Sequence, residues 1–334
     1  MHVLVTGCGG FLGSEIVRQL LRRGDSVRGL GRREYPQLTD AGMQLHQGDV
    51  RDATTVREAC RGVDAVVHTA AKAGVWGSWK SYYEINTLGT ENVLRGCEAE
   101  GVKALVYTSS PSVTFDGQDQ SGIDESAPYP TRWLCHYPHT KALGEQAVLA
   151  AHRPGSLQTA SLRPHLIWGE QDPHLFPRLI ARARSGRLRI VGDGQNRIDT
   201  VHVENAAAAH LCALDRLDED ANSPAGGRAY FITQDEPVPC WKWIADVLQA
   251  AGVEPPRRRI GFAAAWRAGA VLEGLYRATG RKSEPPMTRF LAAQLAKDHY
   301  FDISAARQRL GYQPAVSNAE GLERLRKAWE GGVG

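Results

Sequence analysis

What the 334-residue chain lacks narrows its function first. No stretch reaches the roughly 18 consecutive uncharged apolar residues that a membrane-crossing helix needs. The 11 histidines contain no HExxH pair. The six cysteines (Cys8, Cys60, Cys97, Cys135, Cys212, Cys240) form no CxxC and no metal-ligand spacing with histidine, so no metal site is expected. Such thiols read as reduced. With an N-terminus that runs straight into a strand, they give the expectation of a cytoplasmic protein without a signal peptide. Charge of one sign is also missing: 40 Lys+Arg against 37 Asp+Glu leave +3, which does not suggest a nucleic-acid partner. Internal repeats and low-complexity segments are absent.

What is present begins at the first residues. Val3, Leu4 and Val5 form a short apolar run that stops at glycine, and an amphipathic stretch from Glu15 to Arg23 follows. This is the pattern of a buried parallel strand, a tight turn and a helix N-terminus. In Thr6-Gly7-x-x-Gly10-Phe11-Leu12-Gly13 the glycines let the main chain turn sharply and let a pyrophosphate reach the free N–H groups of the helix. The last one also permits close helix–strand packing. A dinucleotide is expected there, the plain alternative being a glycine-rich turn without a ligand.

Strand-like and helix-like segments then alternate, which calls for an α/β fold with a doubly wound parallel sheet. Residues 1–165 read as a Rossmann cofactor-binding domain with later returns near 199–217. Residues 166–334 read mainly as a smaller, discontinuous substrate-binding lobe. A long helix is predicted over 81–100 and a strand over 199–203.

The end of the second strand separates NAD from NADP. A carboxylate roughly 20 residues beyond the glycines would bond a ribose 2′-hydroxyl, whereas arginine accommodates a 2′-phosphate. Here Gly31 is followed by Arg32 and Arg33, so NADP(H) is favoured over NAD(H). Asp49 and Val50 are placed to meet the adenine edge, and the small Ala70 and Ala71 let the sheet edge approach the cofactor.

The chemistry-bearing residues come next. Thr108-Ser109-Ser110 ends the fifth strand, at the edge where such sheets place ligands. Tyr137 and Lys141, four apart on a predicted helix, share one face. A lysine cation beside a phenol lowers a pKa that is ordinarily near 10, making the tyrosine a usable general acid or base. A serine hydroxyl from the fifth strand would hold the reacting oxygen.

The glycine motif, Ser110 and Tyr137-x-x-x-Lys141 together resemble the extended short-chain dehydrogenase/reductase superfamily, as do Arg163-Pro164-His165 through Gly169, Gly192-Asp193-Gly194 and Val201 through Asn205. The resemblance spans most of the chain. It implies that Tyr137 donates or accepts the proton, that Lys141 binds the nicotinamide ribose, and that Ser110 orients the substrate oxygen. It further implies that Asn86 supports Lys141 through water, and that Pro164 and His165 line the nicotinamide end. In many relatives helices matching 81–100 and 137–151 form a four-helix contact, so a homodimer is implied.

Within that superfamily, Lys72 through Trp79, Tyr107 through Val113 and Phe301 through Arg307 resemble the 3β-hydroxysteroid dehydrogenase-like branch, and in it the bacterial 2-alkyl-3-oxoalkanoate reductases of olefin (β-lactone) biosynthesis. This implies reversible NADP(H)-dependent reduction of a small hydrophobic 3-oxo compound. The competing branch, the nucleotide-sugar epimerases and dehydratases, carries an arginine for a diphosphate where this chain has Ile198. Arg197 comes one residue early, which in a strand points it to the opposite face. A non-catalytic NADP-binding regulatory or assembly subunit is the alternative of another class. Substrate candidates are Lys72, Trp76, Ser112, Trp133 and Trp168, with Trp79, Tyr82 and Tyr83 nearby. The segment 262–279 is apolar on one face and flanked by Arg267, Arg277 and Arg281. It reads equally as core packing or as a lid or interfacial helix meeting a carboxylate, a membrane headgroup or a pathway enzyme.

Overall fold

The alternating strands and helices fold into one sheet of seven parallel strands, seen in a computed structural model that describes residues 1–331. Its first five strands are β1 (His2–Thr6), β2 (Ser26–Gly31), β3 (Gln44–Gln47), β4 (Ala65–His68) and β5 (Ala104–Thr108); Gln158–Pro164 and Arg228–Ile232 complete it. Across the sheet the order is β3-β2-β1-β4-β5, then Gln158–Pro164 and Arg228–Ile232. The direction of winding reverses between β1 and β4, which opens a ligand crevice at their carboxyl ends.

The central strands β1, β4 and β5 are buried on both faces, and their side chains alternate between two core layers. Val3, Val5, Val67, Val106 and Leu162 face α1 (Phe11–Arg23) and the helix Val203–Glu219. Leu4, Val66 and Leu105 face the helices Ala53–Cys60 and Gly89–Glu100. α1 buries Leu12, Ile16, Val17 and Leu20 along one stripe and ends at Gly24, whose φ of 89° closes the helix.

Two predicted elements are broken. The helix expected over 81–100 is three joined pieces, Trp79–Tyr83, a π-helical turn Glu84–Leu88, and Gly89–Glu100. Such a turn widens the helix by one residue per turn and commonly marks a functional site; here it carries the fully buried Asn86. The strand expected over 199–203 is cut to Val201–His202, which pairs with Ile167–Trp168, because Val203 already opens a helix; just before it, Arg197–Ile198 joins a small sheet with Val238–Pro239, His299–Phe301 and Gln120–Ile123. The helices Leu175–Arg184, Cys240–Ala250 and Phe262–Ala278 build the second lobe around Phe176, Trp241 and Trp243.

Candidate active site

The glycine turn is shaped by what cannot fit in it. Gly7 has φ +69°, and a Cβ there would lie 2.8 Å from the Ala70 main chain on the neighbouring strand end. A Cβ on Gly13 would lie 2.2 Å from the Gly7 carbonyl oxygen, so α1 rests directly on the turn. No side chain caps α1 and no acid occupies its first turn. Its leading N–H groups, from Phe11 onward, are thus left for an anion. A polar cleft of about 450 Å³ opens on Gly9, Gly10 and Phe11. These features fit the pyrophosphate of a dinucleotide.

At the β2 end, Arg32 and Arg33 are exposed. Asp49 accepts two hydrogen bonds from the Arg51 side chain (3.0 and 2.8 Å), and this pairing holds its carboxyl below the usual range. Val50 turns its side chain into the core against Gly89, so only its main chain can face a ligand. Ala70 is half-buried and donates its N–H to Thr6 Oγ1, while Ala71 is exposed. Tyr35 was not anticipated. Its ring covers the turn so closely that a Cβ on Gly9 would fall 1.8 Å from it and one on Gly31 2.5 Å. The glycine at 31 therefore has a packing reason besides the missing carboxylate.

Ser110, Tyr137 and Lys141 converge at the end of β5. Ser110 caps the 3₁₀ turn Pro111–Thr114 and its Oγ lies 2.8 Å from Ser112 Oγ. Tyr137 and Lys141 lie in the helix His136–Ala150. Burial pushes the Tyr137 phenol up, with the Ser110 hydroxyl opposing that rise. Lys141 is buried, donates to the Thr108 carbonyl (2.5 Å) and sits 4.0 Å from the Tyr107 ring centre. Burial pulls its ammonium down to about 7, with Glu145 opposing. The expected depression of the phenol by the lysine is not seen, because the ammonium is turned to the β5 main chain.

Asn86 is held by direct bonds to its neighbours. Its side chain accepts from the Lys72 N–H (2.7 Å) and donates to the Lys72 carbonyl (3.1 Å) and to Thr140 Oγ1 (3.1 Å). It braces the loop after β4 against the helix of Tyr137, next to Lys141 in sequence. Lys72 donates its ammonium to Ser81 Oγ (2.8 Å). One turn beyond Lys141, Glu145 forms a buried pair with Arg163 (2.6 Å) and accepts from Tyr129 and Ser161. Its i+8 spacing from Tyr137 was the available signal. Pro164 and His165 are buried. His165 Nε2 lies 2.6 Å from His299 Nδ1, and His299 Nε2 lies 2.7 Å from the Gln294 carbonyl. A carbonyl only accepts, so His299 donates to it and His165 donates to His299. Burial holds both imidazoles far toward the neutral form. His299 lies 134 residues from its partner, and no local pattern announces it.

Beside the first turn of the Tyr137 helix lies a cavity of about 860 Å³. Trp76, Trp79 and Trp133 line it together with His136 and His139. Trp133 stacks on His139 at 5.0 Å and 6°, and Trp79 meets that ring at 4.8 Å with a tilt of 55°. Burial lowers both histidines, the guanidinium of Arg277 adding to the effect at His136. Trp168 is a correction: it is fully buried among Phe176, Trp243 and His202, in the core of the second lobe, and forms no wall of this cavity. Arg197 is exposed, bonded to the Pro237 carbonyl and lying over Tyr300, while Ile198 is in the core, as the register argument requires.

A dinucleotide cradle on a seven-stranded parallel sheet, facing a serine, a tyrosine and a lysine at its carboxyl edge, defines an NAD(P)-binding oxidoreductase of the extended short-chain dehydrogenase/reductase class. The 3-beta hydroxysteroid dehydrogenase/isomerase family matches residues 4–262, and the chain belongs to that family. It is 46% identical over 331 residues to a 2-alkyl-3-oxoalkanoate reductase of Shewanella oneidensis, covering 97% of this chain and 85% of the relative. It is 34% identical to a mouse (Mus musculus) decarboxylating sterol-4-alpha-carboxylate 3-dehydrogenase, covering 96% of this chain and 88% of the relative. Among solved structures, MoeE5 in complex with UDP-glucuronic acid and NAD superposes with a TM-score of 0.74 at 25% identity, covering 99% of each chain. No described helix is long and apolar enough to cross a membrane.

Proposed function

We propose that this protein is an NADP(H)-dependent reductase of a hydrophobic 3-oxo compound of the 2-alkyl-3-oxoalkanoate type, able to run in reverse on the 3-hydroxy compound. The observation that carries this reading is the 46% identity, over nearly the whole chain, to an enzyme of that name. The sterol relative supports it, since its name places a carboxylate on the carbon next to the one that is oxidised.

When bound, the nicotinamide supplies hydride to the carbonyl carbon. The chain's own residues do the rest. The N–H groups opening α1 hold the pyrophosphate, and Arg32 and Arg33, with no carboxylate at Gly31, favour a 2′-phosphate. Ser110 donates to the carbonyl oxygen and fixes its direction. Tyr137 gives that oxygen its hydroxyl proton, so the ketone becomes an alcohol, and the phenolate recovers a proton from solvent. Lys141, buried one turn along the same helix, would hold the nicotinamide ribose.

A nucleotide-sugar reading draws on the fold shared with MoeE5, but the outward Arg197 and the core position of Ile198 argue against a diphosphate site there. The test is a panel of NADPH or NADH with a 2-alkyl-3-oxoalkanoate, a 3-ketosteroid and a UDP-sugar. NADPH oxidation with the lipophilic oxo acid is the expected result. Sugar isomerisation without net cofactor turnover would overturn the reading.

A further inference from the structure

The cavity beside Tyr137 has a charge pattern that its aromatic walls do not explain. Glu273, on the helix Phe262–Ala278, is 3% exposed and points into it between two arginines. Arg289 saturates this carboxylate: its main-chain N–H (2.7 Å), Nε (3.1 Å) and Nη2 (2.7 Å) all donate to Glu273. The helix is fixed there, because a Cβ on Gly269 would lie 2.7 Å from the Arg289 main chain. Arg277, one turn further, is 3.7 Å from Glu273, beyond hydrogen-bond range, and its side chain is 61% exposed. Its guanidinium lies over the Trp76 ring at 5.7 Å. Two cations thus face one anion, and the histidines on the opposite wall are held toward neutrality. The site keeps one uncompensated positive charge at the edge of an aromatic surface.

The three arginines that flank this helix are now distinguishable. Arg267 is exposed away from the cavity. Arg281 lies over Tyr276 and is tied in by its carbonyl, which accepts from Trp76 Nε1 (3.2 Å). Only Arg277 lines the cavity. Cys135 and His136, which directly precede Tyr137, also line the cavity.

We propose that Arg277 is a specificity-determining residue that binds the carboxylate of an amphipathic 3-oxo or 3-hydroxy acid, whose alkyl arms lie along Trp76, Trp79 and Trp133. The inference deepens the function proposed above and rests on it for the identity of the acid. A planar guanidinium takes a carboxylate with two parallel hydrogen bonds. The low polarity of the tryptophan walls strengthens that contact while receiving the hydrocarbon.

The test compares a 2-alkyl-3-hydroxyalkanoate with its methyl ester, in wild type, Arg277→Gln and Arg277→Lys, with Arg267→Gln as a surface control. Binding is read with NADP⁺ present by quenching of tryptophan fluorescence, and turnover by NADPH formation. Wild type is expected to prefer the acid over the ester. Arg277→Gln is expected to weaken acid binding and raise its KM by about tenfold or more, leaving ester and kcat little changed. Arg277→Lys recovers part of the loss, and Arg267→Gln matches wild type. Equal binding of acid and ester by wild type, or equal loss of both in Arg277→Gln, overturns the inference. If wild type turns over neither compound, the proposed reaction fails, and the fluorescence arm still decides whether Arg277 binds the acid.

Discussion

The cofactor end and the substrate end of this site are built by opposite means. The cradle is a matter of main chain: within residues 6–13 it is fixed by φ angles and by distances too short for any Cβ. The cavity is a matter of side chains, drawn from segments 75–79, 133–139, 273–277 and 288–289. A cradle of backbone N–H groups recognises what all dinucleotides share. A wall of tryptophan, histidine and arginine assembled from distant segments can be altered one residue at a time without disturbing the sheet. The two ends should therefore fail differently when mutated.

The largest expected effect lies in the cradle. Gly13→Ala sets a Cβ against a carbonyl oxygen that cannot move without opening the turn, and loss of NADPH binding by more than about a thousandfold is expected, beyond the ~1 kcal/mol range of ordinary glycine effects. Fluorescence titration with NADPH, alongside circular dichroism to show a folded chain, checks it; a variant that binds as wild type does would break the cradle side of the comparison. Tyr137→Phe acts on chemistry alone. A loss of roughly 10³ in kcat is expected, with NADPH affinity within about twofold. Retention of most of the activity would remove Tyr137 from the proton step.

A pair of tryptophans tests the other side. Trp168→Ala empties a packed core position and is expected to cost about 3–5 kcal/mol in denaturant unfolding. Trp133→Ala, half-buried at the cavity, is expected to leave the unfolding midpoint nearly unchanged and to raise KM for long-chain substrates. Similar stability losses in the two would erase the distinction drawn between core and wall. Asp199, buried between Arg197–Ile198 and Val201–His202, adds a pH signature. Burial pushes its carboxyl up to about 7 from 3.8. The folded state thus holds a proton that the unfolded state has released between about pH 4 and 7. Stability is lost as pH rises through that window and is constant above it. Relative to wild type, Asp199→Asn is expected to gain about 4 kcal/mol between pH 4 and pH 8. Thermal melts across that range would show no relative gain if the carboxyl titrates normally.

The same contrast explains what could be read from the sequence. The glycine turn, the alternation of the parallel sheet and the Tyr137–Lys141 spacing are local patterns, and each lies where expected. The π-helical turn at 84–88 was not legible, because its residues keep a helical composition and only the buried bonds of Asn86 reveal its use. Trp168 was misplaced because a two-residue strand gives no periodicity from which to tell a core face from a cavity face. Tyr35 and His299 are defined by contacts across the fold, with Gly9 and His165 respectively, and such contacts leave no mark in spacing.

The smallest expected effect separates the cradle's general hold from its one selective element. Arg32 is exposed at the exit of β2, and its charge contributes to holding Asp49 ionised nearby. In the ligand it would meet only the 2′-phosphate that distinguishes NADPH from NADH, in a solvated setting where a charge-assisted contact is worth about 1.4 kcal/mol, or tenfold. Arg32→Ala is therefore expected to weaken NADPH binding by about tenfold and to leave NADH within about twofold, with the difference shrinking as salt is raised. Equal weakening of both cofactors would mean that Arg32 supports the turn, or the Tyr35 ring above it, and contributes nothing selective. No change in either would move phosphate recognition to Arg33. Each result is read from the same pair of titrations, which makes the cradle's selectivity separable from its affinity.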